Sequence, residues 1–234
     1  FMFSYYGSKG KIVDYYPPPK NKIVIEPFAG SARYALKYWK NDVVINEKYD
    51  VVFKVWKYLQ KCEIADINNL PKIEDGKTLN DYEFDCIEAK WLMGFCIKGG
   101  SNSPRITPSE KGFGGGYMHQ LENIKKHLHK IKHWQITNLD YSELENLEAT
   151  WFIDPPYQFG GEYYNESNKN IDFLKLAEWC KSRNGQVVVC ENTKATWLPF
   201  KPMIDMQGSM YKTTEAIWSN IPTNYDCEQT LLQF

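Results

Sequence analysis

The chain lacks a long apolar run: none reaches the roughly 18 uninterrupted residues that a membrane-spanning helix needs. Its opening residues, FMFSYYGSKGK, lack the apolar h-region of a cleavable signal peptide. The six cysteines (Cys62, Cys86, Cys96, Cys180, Cys190 and Cys227) form no CxxC pair. They are therefore expected to be reduced thiols of a cytoplasmic protein, with neither a zinc site nor a disulfide framework. No H-E-x-x-H and no Cys/His cluster occurs, so no metal is expected. The absence of G-x-G-x-x-G argues against a nicotinamide-dependent Rossmann enzyme. There is no internal repeat and no low-complexity tract. Nor is there a large charge of one sign: 28 Lys and Arg face 29 Asp and Glu, a net charge of −1, unlike a protein that coats nucleic acid by charge alone. What is present is ample apolar matter. Of 234 residues, 43% are hydrophobic and 15% aromatic, enough for one globular domain with an insertion.

The neutral total conceals an uneven distribution. Residues 90–133 hold eight Lys and Arg against two Glu, a local +6, and all four histidines fall in the same stretch. A basic face on a neutral protein is the footprint of a phosphate-backbone contact, although a solvated surface gives the same pattern. Arg105, Lys111, Lys125 and Lys126 are the candidates for DNA contact, Arg105 foremost because guanidinium suits bidentate contacts.

Hydrophobic patterning predicts alternating strands and helices. Ile23-Val24-Ile25 is a strand, Ser31 to Lys40 a helix with Ser31 as N-cap, Val43-Val44-Ile45 a strand, and Asp50 to Gln60 a helix with Val52, Val55, Trp56 and Leu59 on one face. The alternation then breaks. A polar stretch at 68–80 precedes a helix over 81–95 and a Gly, Ser and Pro-rich loop over 99–117. Leu121, Ile124, Leu128 and Ile131 recur at helical spacing, and strands follow at 135–137, 150–153 and 187–189, with a helix at 173–180. Two antiparallel strands are expected within 210–234. This is an α/β chain with a mainly parallel sheet and an insertion of about 60 residues, a size usual for a small subdomain.

Asp154-Pro155-Pro156-Tyr157 is the most specific feature. It follows the apolar strand Trp151-Phe152-Ile153, at a strand's carboxyl end, where open α/β sheets bind ligands. Two prolines remove two backbone donors and stiffen the turn. The Asp154 carboxylate and the Pro155 carbonyl can together receive both hydrogens of an exocyclic amino group, and Tyr157 offers a ring for a flat base.

Asp154 to Tyr157 resembles the catalytic motif of amino-methyltransferases that use S-adenosylmethionine, in the form typical of adenine N6 methylation. Glu26-Pro27-Phe28-Ala29-Gly30-Ser31-Ala32 resembles that family's FxGxG cofactor loop, with Phe28 and Gly30 matching and Ala32 in place of the second glycine. Tyr5-Tyr6-Gly7-Ser8-Lys9 resembles the N-terminal segment of Dam-like adenine methyltransferases, and the order of the three motifs along the chain is the family's. Arg105 and the run from Gly112 to Tyr117 loosely resemble its recognition region. The likeness runs from Tyr6 to Tyr157 and thins in the insertion and in the last third.

The resemblance implies a class I, Rossmann-like methyltransferase fold: a catalytic domain of residues 1–57 and 119–234 and an inserted target-recognition region, 58–118. It implies S-adenosylmethionine as cofactor and S-adenosylhomocysteine as product. The cofactor residues it implies are Tyr6, Gly7, Ser8, Lys9, Pro27, Phe28, Ala29, Gly30, Ser31, Glu47, Asp140, Tyr141 and Asp154. Glu47 would accept hydrogen bonds from ribose hydroxyls and Asp140-Tyr141 would flank the adenine; Lys9 is left between the cofactor carboxylate and a DNA phosphate. The implied reaction is direct methyl transfer to an adenine flipped out of double-stranded DNA, with Asp154, Pro155, Pro156 and Tyr157 as the catalytic turn and residues 158–165 as a lid. An rRNA adenine methyltransferase and a catalytically silent nucleic-acid-binding module are the rival readings.

Overall fold

The computed structural model describes residues 2–110, 116–207 and 212–226. The β-branched runs become strands of one seven-stranded sheet: β1 (Ile23–Glu26), β2 (Asp42–Asn46), β3 (Gln135–Thr137), β4 (Ala149–Ile153), β5 (Gly185–Asn192), β6 (Lys201–Gln207) and β7 (Lys212–Ser219). Their order across the sheet is β3-β2-β1-β4-β5-β7-β6. The first five strands pair in parallel, and β7 runs antiparallel to both β5 and β6. The fold is therefore α/β with a mixed, mostly parallel sheet. From β1 the chain steps outward to β2 and β3, then returns to place β4 on the other side of β1. That reversal opens a crevice beyond the carboxyl ends of β1 and β4, the usual ligand position in such sheets.

Period-two alternation gives the sheet two apolar faces. Val24, Val43, Ile45 and Phe152 pack under α1 (Arg33–Lys37), α2 (Asp50–Lys61), α3 (Ile64–Asn68), α4 (Ile87–Ile97) and α5 (Tyr117–His127). Ile25, Trp151, Ile153, Val187 and Val189 face α6 (Phe173–Lys181). Among the described residues, the large buried apolar side chains of 58–118 join the main core. Ile67, Leu92 and Phe95 belong to the same cluster as Trp56 and Ile45.

Several element boundaries differ from the sequence expectation. Ser31 caps nothing: α1 begins only at Arg33, because Ala32 at the N-cap is left-handed (φ 45°, ψ 50°). That conformation costs alanine about 1–2 kcal/mol, so the site of the missing glycine still imposes a glycine-type backbone. The helix expected from Asp81 starts at Ile87; Thr78 and Asp81 instead close a reciprocal cap on a single 3₁₀ turn, Leu79–Asp81. The apolar residues of 121–131 are buried as expected, but α5 gives way to a 3₁₀ turn at Leu128–Lys130. The closing hairpin lies earlier than expected, with β6 starting at Lys201; residues 227–234 are outside the described residues. Pro202 masks β6 in the sequence, and it is tolerated because β6 is an edge strand. Among the described residues no helix is long and apolar enough to cross a membrane, and no group of three His, Cys, Asp or Glu is placed to hold a metal ion.

Candidate active site

The crevice beyond β1 and β4 is a pocket with about 980 Å³ of empty space, open solvent at its mouth included. Every residue nominated for the cofactor lines it: Tyr6 to Lys9, Pro27 to Ser31, Glu47, Asp140, Tyr141 and Asp154. Of the other motif residues, Pro156 lines the same pocket and Tyr157 lines a second one beside it. Pro155 is buried and lines neither.

Asn46, which sequence reasoning did not single out, ties three strand ends together. Its amide nitrogen donates to the carbonyls of Pro27 (3.0 Å) and Leu139 (3.1 Å), and its oxygen accepts from Leu139 N (2.9 Å) and Thr137 Oγ1 (2.9 Å). The bond to Pro27 is buried and the other three partly so, and the loss of the Asn46 amide would leave their partners unsatisfied. Glu47 follows directly. One carboxylate oxygen accepts from Gly30 N (2.8 Å) and the other from Tyr49 N (2.9 Å). Burial pushes its pKa up to about 7 against the pull of those two N–H groups. Each oxygen keeps a lone pair for a further donor.

Across the pocket, partial burial raises the Asp140 carboxyl, but Lys48 (2.8 Å) and Ser142 outweigh it and hold it at about 2. Asp140 also caps the short turn Tyr141–Glu143, which presents Tyr141 to Phe28 at 5.4 Å between ring centroids. A third ring between them would need about 7 Å, twice the ~3.5 Å contact distance. A flat ligand therefore lies against this pair, not between its members.

At the end of β4, Asp154 meets the N-terminal segment. Gly7 has φ +72°, and a Cβ there would fall 1.8 Å from the Tyr164 hydroxyl, so only glycine lets the chain pass beneath Tyr164. Two residues on, the Lys9 ammonium sits 3.1 Å from Asp154 Oδ1 and 3.4 Å from Glu215 Oε1. It also donates to the Tyr157 hydroxyl and lies 4.3 Å from the centre of that ring. Lys9 is thus buried against carboxylates in this structure. Burial lifts the Asp154 carboxyl and Lys9 lowers it, with a net value of about 6. Tyr157 donates to Glu215 (2.5 Å), as does Tyr16 (2.6 Å). Glu215, on β7, is the main residue that sequence reasoning missed; it stands in an ordinary strand alternation with no local signal. Arg33 was missed too. It donates to Ser8 Oγ at 2.7 Å, and burial lowers its pKa to about 10.

Residues 158–165 cover the pockets through Tyr164, which packs on Tyr5 and Tyr6. The covering is pinned from two sides: Gln158 N donates to Glu191 (2.6 Å), and Asn102 bonds with Tyr163 and Asn165. Through Ser101, whose carbonyl accepts from Tyr6 N (3.2 Å), the loop after α4 joins the same assembly. Arg105 is exposed on that loop. It crosses α4 at Gly94, where a Cβ would come within 2.9 Å of the Arg105 backbone nitrogen.

The other nominated basic residues are not gathered at the pockets. Lys125 is held by Asn68 (2.8 Å) and Glu122, Lys126 is exposed, and Lys111 lies outside the described residues.

Two buried carboxyls around the pocket and the partly buried Asp154 have raised pKa values, each mainly through desolvation: Glu26 to about 8, Glu47 to about 7 and Asp154 to about 6. Between about pH 4, where unfolded carboxyls ionise, and about pH 8, the folded protein holds protons that the unfolded chain has lost. Stability is therefore expected to fall as pH rises through this window and to level off above it. Thermal melts of the free protein at pH 5, 6.5, 8 and 9 test this. Glu26→Gln should flatten the curve between pH 7 and 8; a melting temperature rising from pH 5 to 8 would contradict the assignment.

No protein-family model matches the chain, and no curated protein matches it.

Proposed function

We propose that this protein transfers a methyl group from S-adenosylmethionine to the exocyclic N6 of an adenine in DNA, with a class I methyltransferase fold whose segment 58–118 recognises the target. The observation that carries the reading is the position of Asp154: it ends β4 at the reversal of strand order and lines the pocket that the nominated cofactor residues share. When bound, S-adenosylmethionine supplies a methyl group on a sulfonium and departs as S-adenosylhomocysteine. The donor set suits it. Glu47 is an acceptor for ribose hydroxyls, and Asp140 and Tyr141 with Phe28 form a wall for the adenine. Asp154 accepts from an N–H of the target amine, which favours the pyramidal nitrogen that an attack requires; the Pro155 carbonyl, expected to share this role, lines neither pocket. Alignment of this kind supplies about 7–11 kcal/mol of a barrier.

The direct test is incubation of the purified protein with methyl-labelled S-adenosylmethionine and unmethylated duplex DNA, followed by mass spectrometry of the nucleosides. N6-methyladenine is the expected product. Label appearing only in rRNA fragments would favour the RNA enzyme, and tight DNA binding with no labelled product would favour the silent module.

DNA binding is expected to weaken steeply with salt, since each neutralised phosphate contributes about −0.9 to the log–log slope. Arg105→Ala and Lys126→Ala should each reduce the slope by about one unit if they touch phosphate. Fluorescence-anisotropy titrations in rising salt measure it; slopes identical to wild type in both variants would leave the basic stretch a solvated face.

A further inference from the structure

The Lys9 ammonium stands where the proposed reaction needs the substrate. Asp154 is to accept from an amino group, and Lys9 already donates to it at 3.1 Å. Tyr157 is to meet a flat ring, and the same ammonium stands 4.3 Å from the centre of its ring. An amine that is to bond Asp154 Oδ1 competes with Lys9 for that oxygen, yet a buried ammonium is costly without a carboxylate beside it. The structure holds a second carboxylate within reach. Glu215 is 1% exposed, and its Oε1, 3.4 Å from Lys9, also accepts from Tyr16 and Tyr157. Its Oε2 is buried with no hydrogen-bond partner among the described residues, the kind of acceptor that folded proteins rarely leave unmatched. Glu215 also lines the second pocket, together with Lys9, Tyr157 and Tyr164. That pocket shares Lys9 and Tyr164 with the first, so a ring occupying it would come up against Lys9.

We propose that Lys9 holds the place of the substrate amino group at Asp154, and that when a planar, amine-bearing ring fills the second pocket Lys9 passes over to Glu215, whose unmatched oxygen receives it. The inference rests on the reading that Asp154 holds a target amine. Glu215 is then a positioning residue: it acts through Lys9 by lowering the cost of clearing Asp154. The ammonium stays paired throughout, because it moves between two anions that it already touches, and no covalent bond changes.

The experiment measures steady-state transfer to unmethylated duplex DNA of mixed sequence at pH 8.5, with S-adenosylhomocysteine binding followed in parallel by calorimetry. In Glu215→Gln the ammonium is left with Asp154 as its sole anion and competes harder with the amine. The apparent KM for DNA should rise at least tenfold while S-adenosylhomocysteine affinity stays within about threefold. Glu215→Asp, which retains the charge, should keep KM within about threefold of wild type. Adding Lys9→Met to Glu215→Gln removes the competitor and should bring KM back down at least threefold. A purely structural role for Glu215 predicts no such rescue. An unchanged KM in Glu215→Gln, or a raised one that Lys9→Met does not lower, overturns the exchange while wild-type transfer leaves the methyltransferase reading standing. Absence of transfer by the wild type overturns both. Melting curves of each variant separate misfolding from a kinetic effect, and Glu215→Asp carries the test if Glu215→Gln does not fold: a KM rise that Lys9→Met leaves untouched there also overturns the proposal.

Discussion

Replacing Asp154 by alanine should lower kcat for methyl transfer by at least about 1,000-fold, or about 4 kcal/mol of transition-state stabilisation, while S-adenosylhomocysteine binds within about tenfold of wild type. The two effects separate because Asp154, which lines the first pocket, reaches toward the second through Lys9, which lines both. On the proposed cofactor side, binding would draw on Glu47, Asp140 and the Phe28–Tyr141 wall, none of which bonds Asp154. On the other side, Asp154 is the only carboxylate of the catalytic turn. An interaction made in full only as the target nitrogen pyramidalises lowers kcat when removed and leaves ground-state binding intact. Single-turnover kinetics with labelled cofactor, paired with calorimetry, is the measurement. Transfer near the wild-type rate would sink the assignment of Asp154.

The second large effect is expected at Glu47. Glu47→Ala should weaken S-adenosylmethionine binding by about 1.5–3 kcal/mol, the range for hydrogen bonds to a charged group. The structure adds a reason for a value toward the top of that range. Glu47 also holds Gly30 N and Tyr49 N, so its loss frees the loop after β1 as well as removing an acceptor. Glu47→Gln separates the contributions: it keeps one oxygen for a backbone N–H and loses the charge. Titration calorimetry decides, and an affinity unchanged in Glu47→Ala would make Glu47 a loop brace alone.

The parallel half of the sheet was legible because its signals are local. Ile23-Val24-Ile25, Val43-Val44-Ile45 and Trp151-Phe152-Ile153 are apolar runs closed by turn residues, and each became a strand. Pro27 to Ser31, Glu47 and Asp154 were legible as pocket residues for the same reason, since each follows such a strand, and Asp140 follows β3. The start of α1 was misplaced because Ala32 adopts a backbone that its residue type disfavours, which no propensity reveals. Asn46 ends a strand like many surface asparagines, and its role exists only once Pro27 and Leu139 approach. Lys9 was read as a partner for cofactor or phosphate because its two carboxylates come from β4 and β7, far along the chain. Charge counting within 90–133 took in Glu122, which pairs with Lys125, but not Glu63, which lies outside the stretch and pairs with Lys132.

The placement of β7 between β5 and β6 has a consequence for synthesis on the ribosome. The five parallel strands, and with them the walls of the first pocket, can assemble once β5 has emerged. Lys9 is translated early, and the second carboxylate that it touches arrives only with β7. A nascent chain paused before β7 therefore has Lys9 and Asp154 but no Glu215, and Tyr16 and Tyr157 lack the acceptor that joins them. The buried charge cluster is completed late in translation, by a hairpin that must slot in beside β5 after the rest of the sheet can stand.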